Sequence, residues 1–120
     1  MHIPVIRRFS YLSAVVLRVG LGLVVLWFGT QQSMNPSEWT VWVPAWATSF
    51  GISATRIVML NGTIEIISGV CIVMGLLVQP LALIMGLHLI PVVLQMGLTP
   101  IGVRDIGLIL AFFALALRPD

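Results

Sequence analysis

Asn61-Gly62-Thr63-Ile64-Glu65-Ile66-Ile67-Ser68-Gly69 places a carboxylate near the middle of an apolar run, Ile57 to Val78, that carries no other charge. At helical spacing Asn61, Glu65 and Ser68/Gly69 share one face. An ionisable group at bilayer depth costs a few kcal/mol or more, so it persists beside a partner, in a wet cavity, or protonated. The remaining apolar segments are therefore expected to supply Glu65 with company.

Composition sets the same frame. Of 120 residues, 59% are hydrophobic and 8% charged, and the mean hydropathy is +1.11. Soluble domains carry roughly 25% charged residues; so few charges could not cover a water-soluble surface of this size. The expectation is an all-α integral membrane protein with a single domain over residues 1–120. The surplus of base over acid comes from six arginines and no lysine against four acids. No basic run interleaved with aromatics accompanies it, which argues against nucleic acid as a partner. Cys71 is alone within an apolar run and reads as a packing residue.

Working outward, four membrane spans are expected at about 11–30, 57–77, 81–97 and 101–117. Arg18 makes the first run too polar, and its length makes it too long, for a cleaved signal segment; it reads as an uncleaved span. Residues 33–55 form the sizeable connection, with Trp39, Trp42 and Trp46 among Pro36, Pro44 and small polar residues. Tryptophan prefers the headgroup level, so this connection reads as an interfacial anchor, with a lid over a ligand entrance as the alternative. Gln79-Pro80 reads as a tight turn that returns the third span antiparallel beside the second. Arg7, Arg8 and Arg118 then flank one side, so the positive-inside rule puts both termini in the cytoplasm and the Trp-rich loop outside. The expected fold is a four-helix transmembrane bundle, multi-pass in the plasma or inner membrane.

Polar residues recur inside these spans: Arg18 in the first, Asn61 and Glu65 in the second, His88 and Gln95 in the third, Arg104 and Asp105 in the fourth. Arg18 and Glu65 are expected to differ in depth by about one helical turn, within reach of an arginine side chain. Three uses stay open. The groups pair to lock helices, Arg18 with Glu65 and Arg104 with Asp105 or an outer acid. Alternatively Glu65 and His88, with an arginine, line a cavity for a polar-headed, lipid-soluble ligand such as a quinone, whose carbonyls need donors and whose reduction needs a proton relay. In the third use they form a proton or solute path. Metal is not expected, because His88 has no companion ligands and His2 lies at the opposite face of the membrane.

The residues also resemble a known family. Arg18 with Gly20-Leu21 and Leu26-Trp27-Phe28-Gly29 looks like the first-helix signature of DoxX-like membrane proteins. Gly62-Thr63-Ile64-Glu65-Ile66-Ile67-Ser68-Gly69 resembles that family's second-helix glycine–glutamate pattern, and Arg104-Asp105-Ile106-Gly107-Leu108 its fourth-helix Arg-Asp motif. The resemblance implies a small four-helix membrane protein. The family takes its name from a subunit tied to a terminal quinol oxidase and to thiosulfate:quinone oxidoreductase in archaea. Other members are linked to membrane-bound redox or oxidative-stress complexes. Glu65, Arg104 and Asp105, then Arg18, are the positions the resemblance carries over.

The resulting expectation is an accessory subunit of a membrane oxidoreductase, rather than a complete enzyme, that binds quinone or docks a redox partner. A structural or assembly subunit without ligand, and a small-solute or proton carrier, are the alternatives. Expected partners are the lipid bilayer, redox-enzyme subunits and, through a face of Gly20, Gly22 and Gly29, further copies of the chain.

Overall fold

The computed structural model describes residues 10–118. The basic head, with His2, Arg7 and Arg8, and the terminal Pro119-Asp120 lie outside the described residues. Four long helices carry the fold: α1 (Ser10–Met34), α4 (Ala54–Met74), α5 (Val78–Met96) and α6 (Pro100–Ala116). Between α1 and α4 come two single-turn helices, α2 (Pro36–Trp39) and α3 (Ala45–Thr48), with a 3-10 turn over Thr40–Trp42 between them. No strand occurs among the described residues.

The helix limits follow local chemistry. Ser53 caps α4 by accepting the Arg56 backbone N–H at 3.2 Å. Gly75 ends α4 in the left-handed region at φ 80°, where glycine carries no Cβ penalty. The turn is therefore Gly75-Leu76-Leu77, upstream of the expected one, and Gln79-Pro80 falls in the first turn of α5. There a proline's missing N–H is one the helix leaves free anyway. Thr99 caps α6 by accepting the Gly102 N–H at 3.1 Å, with Pro100 in the first helical position. α1 runs past the expected end at Thr30 to Met34, and Gln32 in its last turn is buried against α4.

α1, α4 and α5 are long and apolar enough to cross a membrane. The 17 residues of α6 give about 26 Å of helix, at the short limit for a span. Outward-facing residues such as Val16, Leu60, Ile67, Leu94 and Leu110 are exposed, so the perimeter is apolar. An apolar perimeter of this extent suits lipid and would aggregate in water.

The helices pack as two antiparallel pairs, and the pairing is not that of chain neighbours. α4 lies mainly on α1 and α5 mainly on α6, whereas contact between α4 and α5 is sparse. The expectation that the third span lies beside the second is corrected on this point. The cause is glycine. A Cβ at Gly29 would stand 2.7 Å from the Gly62 carbonyl oxygen, and one at Gly62 3.0 Å from that of Gly29. Gly22 and Gly69 repeat the arrangement at 3.1 and 2.9 Å. Without side chains at these four positions the α1 and α4 backbones meet directly, the usual means of helix association in lipid. Gly22 and Gly29 are thus consumed within the chain, while Gly20 has no neighbour within 4 Å of its Cβ position.

The two pairs are joined by an apolar core of Leu21, Val25, Ile72, Ala82, Met85, Phe112 and Leu115. It sits toward the end of the molecule that holds the Gly75–Leu77 turn. At that same end the Gln79 side-chain amide donates to the Arg118 carbonyl. Above the core, toward the loop, the pairs enclose a cavity.

Candidate functional site

Glu65 stands at the middle of α4, buried. Its Oε2 accepts from Gln32 Nε2 at 3.1 Å, and its Oε1 accepts from Asn61 Nδ2 at 2.8 Å. Asn61 Nδ2 also donates to Gln32 Oε1 at 2.7 Å, which closes a ring of three side chains across the α1–α4 seam. Helical side chains lean toward their own N-termini. In antiparallel helices Gln32 therefore leans inward from the loop side while Glu65 leans outward to meet it. His88, at the middle of α5, brings Nε2 to 3.3 Å from Glu65 Oε1 and is the polar link from the first helix pair to the second.

The same geometry removes Arg18 from the cluster. With Gly22 against Gly69 and Gly29 against Gly62, Arg18 lies opposite residue 73, about two turns from Glu65. The two side chains also lean apart. The expected Arg18–Glu65 pair does not form. Instead Arg18 Nη1 comes within 2.7 Å of the position a Gly75 Cβ would take. The guanidinium thus sits at the C-terminal end of α4, where a helix dipole favours positive charge. Its Nε is buried without a hydrogen-bond partner. Gln95 is also outside the cluster: it is exposed, and its amide donates to the Val41 carbonyl in the loop at 3.4 Å.

Arg104 and Asp105 form a second polar group on α6. Both Arg104 Nε and Nη2 lie 3.1 Å from Asp105 Oδ1. The Asp105 side chain is 4% exposed and that of Arg104 51%, so a buried carboxylate is matched by a half-open cation. The guanidinium also lies over the Phe28 ring, 5.4 Å from its centre. Phe28 in turn makes edge contacts with Trp27 at 5.1 Å and Trp39 at 5.7 Å.

Both groups border one cavity of about 670 Å³, between the helix pairs and beneath the loop. Its base is apolar, with Val25, Met85 and Phe112; Glu65, His88, Arg104 and Asp105 are on its walls. Trp39, Trp42 and Trp46 from the loop border it above, as does Trp27 from α1. The loop is thus the roof of a chamber of the size that holds small organic ligands.

The chain matches no family model, no curated protein and no solved structure. Of the residues singled out in the sequence, Asn61, Glu65, His88, Arg104 and Asp105 reach this chamber, and so do the three loop tryptophans. Arg18 and Gln95 do not border it. Sequence reasoning missed Gln32, Phe28, Trp27 and Glu38. A signal for Gln32 exists: glycines 22 and 29 match glycines 62 and 69 in spacing. Aligning them antiparallel puts Gln32 opposite residue 59, within a helical turn of Asn61. No group of three or more metal-ligating side chains occurs among the described residues.

Glu65 has its oxygens filled by Gln32, Asn61 and His88, so its first task is to hold α1, α4 and α5 in register. The less buried donors are His88, with 29% of its side chain exposed, and Arg104. His88 offers a ring nitrogen on each side, one facing Glu65 and the other left to accept or donate. Arg104 offers fixed positive charge at the aromatic wall.

Proposed function

We propose that the protein is a small four-span subunit of a redox-linked membrane system, with both termini cytoplasmic, and that its chamber receives the head group of a quinone. The observation that carries this reading is the juxtaposition of His88 and Arg104 on the walls of an apolar, aromatic-roofed cavity, with Glu65 behind His88. Ligand sites are of this kind: mostly apolar, with few convergent polar groups. The resemblance to DoxX-like proteins in the Glu65 and Arg104-Asp105 motifs favours the same class, and the cell membrane as location.

A bound quinone supplies two-electron, two-proton redox chemistry, with electrons exchanged through a partner protein. The chain's own residues hold and orient the head group. His88 and Arg104 are the residues that would hold its carbonyl oxygens as donors. Glu65 orients the imidazole, so the outer ring nitrogen of His88 is held at one fixed position on the chamber wall. Val25, Met85 and Phe112 keep water from the base of the chamber.

The test is binding of a quinone analogue to detergent-purified protein, wild type against His88→Gln and Arg104→Gln. The expected outcome is saturable binding that weakens about tenfold or more in each variant, the usual scale of one charge-assisted hydrogen bond. Absence of saturable binding to the wild type would sink the reading. A second reading rests on the closed Gln32–Asn61–Glu65 ring: a subunit without ligand whose polar groups serve only to lock helices. Under it, the variants bind nothing and differ only in stability.

A further inference from the structure

The chain has four tryptophans and four acidic residues. All four tryptophans and three of the acids, Glu38, Glu65 and Asp105, border the one chamber. Glu65 and Asp105 are engaged by the partners described above. Glu38 is different: it sits on α2 at the mouth beside Trp39, and its carboxylate has no side-chain partner among the described residues. The arginine on the chamber wall, Arg104, is already paired with Asp105. It also shows how this wall treats a cation, since the guanidinium rests over Phe28, itself in edge contact with Trp39.

We propose that the mouth of the chamber is a subsite for an organic cation, a quaternary ammonium or a protonated amine, held among Trp39, Trp42 and Trp46 with Glu38 as its counter-charge. Indole faces attract positive charge, most strongly for cations that shed water readily. An alkylammonium does so; a small inorganic cation holds its water, and among the described residues no cluster of three or more carboxylate, imidazole or thiol ligands stands there to replace it. An anion would meet the Glu38 carboxylate. Interfacial anchoring explains why tryptophans occur at this level. It does not explain why all three border one cavity together with an exposed carboxylate that has no side-chain partner among the described residues. The proposal does not depend on what the deeper walls bind. The ammonium group could belong to a choline lipid headgroup or to a free amphiphilic amine.

The experiment uses the whole chain in a maltoside detergent, with intrinsic tryptophan fluorescence followed as tetrabutylammonium chloride is added and sodium chloride as the reference titration. A saturable change with tetrabutylammonium, absent with sodium, is expected. Glu38→Gln and Trp42→Leu are each expected to weaken it about tenfold. Both positions are in the loop, and unchanged helical circular dichroism establishes that the variants are folded. No saturable change, or the same affinity in both folded variants as in wild type, overturns the proposal. Repeating the titration in nanodiscs separates the two sources. Weaker apparent affinity in phosphatidylcholine than in an equally uncharged, choline-free glycolipid bilayer assigns the subsite to the lipid headgroup; equal affinity assigns it to a free amine. Quinone-analogue binding in the Glu38→Gln protein reports separately on the inner walls and fails only if that reading fails.

Discussion

At the scale of single residues, the ring of Gln32, Asn61 and Glu65 has an energetic signature distinct from ligand binding. Glu65→Ala leaves the buried Gln32 N–H donor without its acceptor and takes from the half-buried Asn61 amide one of its two acceptors, which costs about 1–3 kcal/mol. Thermal unfolding in detergent should show that loss with no ligand present, and an unchanged transition would mean that the ring is not a clamp. His88 stands on the other side of the distinction. It is half-buried and serves one bond to Glu65, so His88→Gln should keep the fold and lose ligand affinity. Glu65, Asn61 and His88 were legible in the sequence because an isolated polar group in an apolar run announces that it needs a partner. Which partner was not legible. Arg18 looked suitable by charge and depth, but side-chain lean and the glycine register decided in favour of Gln32, an uncharged residue near the end of its helix.

At the scale of elements, the α1–α4 seam depends on missing side chains. Gly29→Leu or Gly62→Leu drives carbons into the opposing backbone, and overpacking of this kind typically costs about 1–3 kcal/mol. Gly20→Leu, on the same helix but with open space around it, should change stability by no more than about 0.5 kcal/mol. Chemical unfolding of the three variants side by side checks the contrast; equal losses would show that helix propensity, not the seam, is being measured. Gly75 is a separate case. Its left-handed conformation and the Arg18 guanidinium both oppose a Cβ, so Gly75→Ala should destabilise by about 1–2 kcal/mol. The apolar runs gave each long helix to within a few residues. The capping chemistry of Ser53, Gly75 and Thr99 sets the true limits. Pairing was harder to read, since a short turn suggests that neighbours lie together and only the matched glycine intervals say otherwise.

At the scale of the whole molecule, the proposed orientation can be checked directly. In a Cys71→Ala background, a cysteine at Ser37 should react with a membrane-impermeant maleimide on intact cells, and one at Arg118 only after the membrane is opened. The reverse pattern would invert the topology. The packing also has a mechanical corollary. The two helix pairs share a single covalent link, the Gly75–Leu77 turn, and it lies at the end remote from the chamber. The apolar core clasps the pairs near that link, while the loop end is held across by His88–Glu65, by Arg104 over Phe28 and by Gln95 on Val41. A body joined at one end and lightly fastened at the other opens like a hinge, with its widest travel where the ligand would sit. Lateral pressure in the bilayer acts on that opening. Lipids that crowd the leaflet at the loop end should squeeze the chamber and those that loosen it should let it swell, so the affinity of this site would follow the tension of the membrane around it.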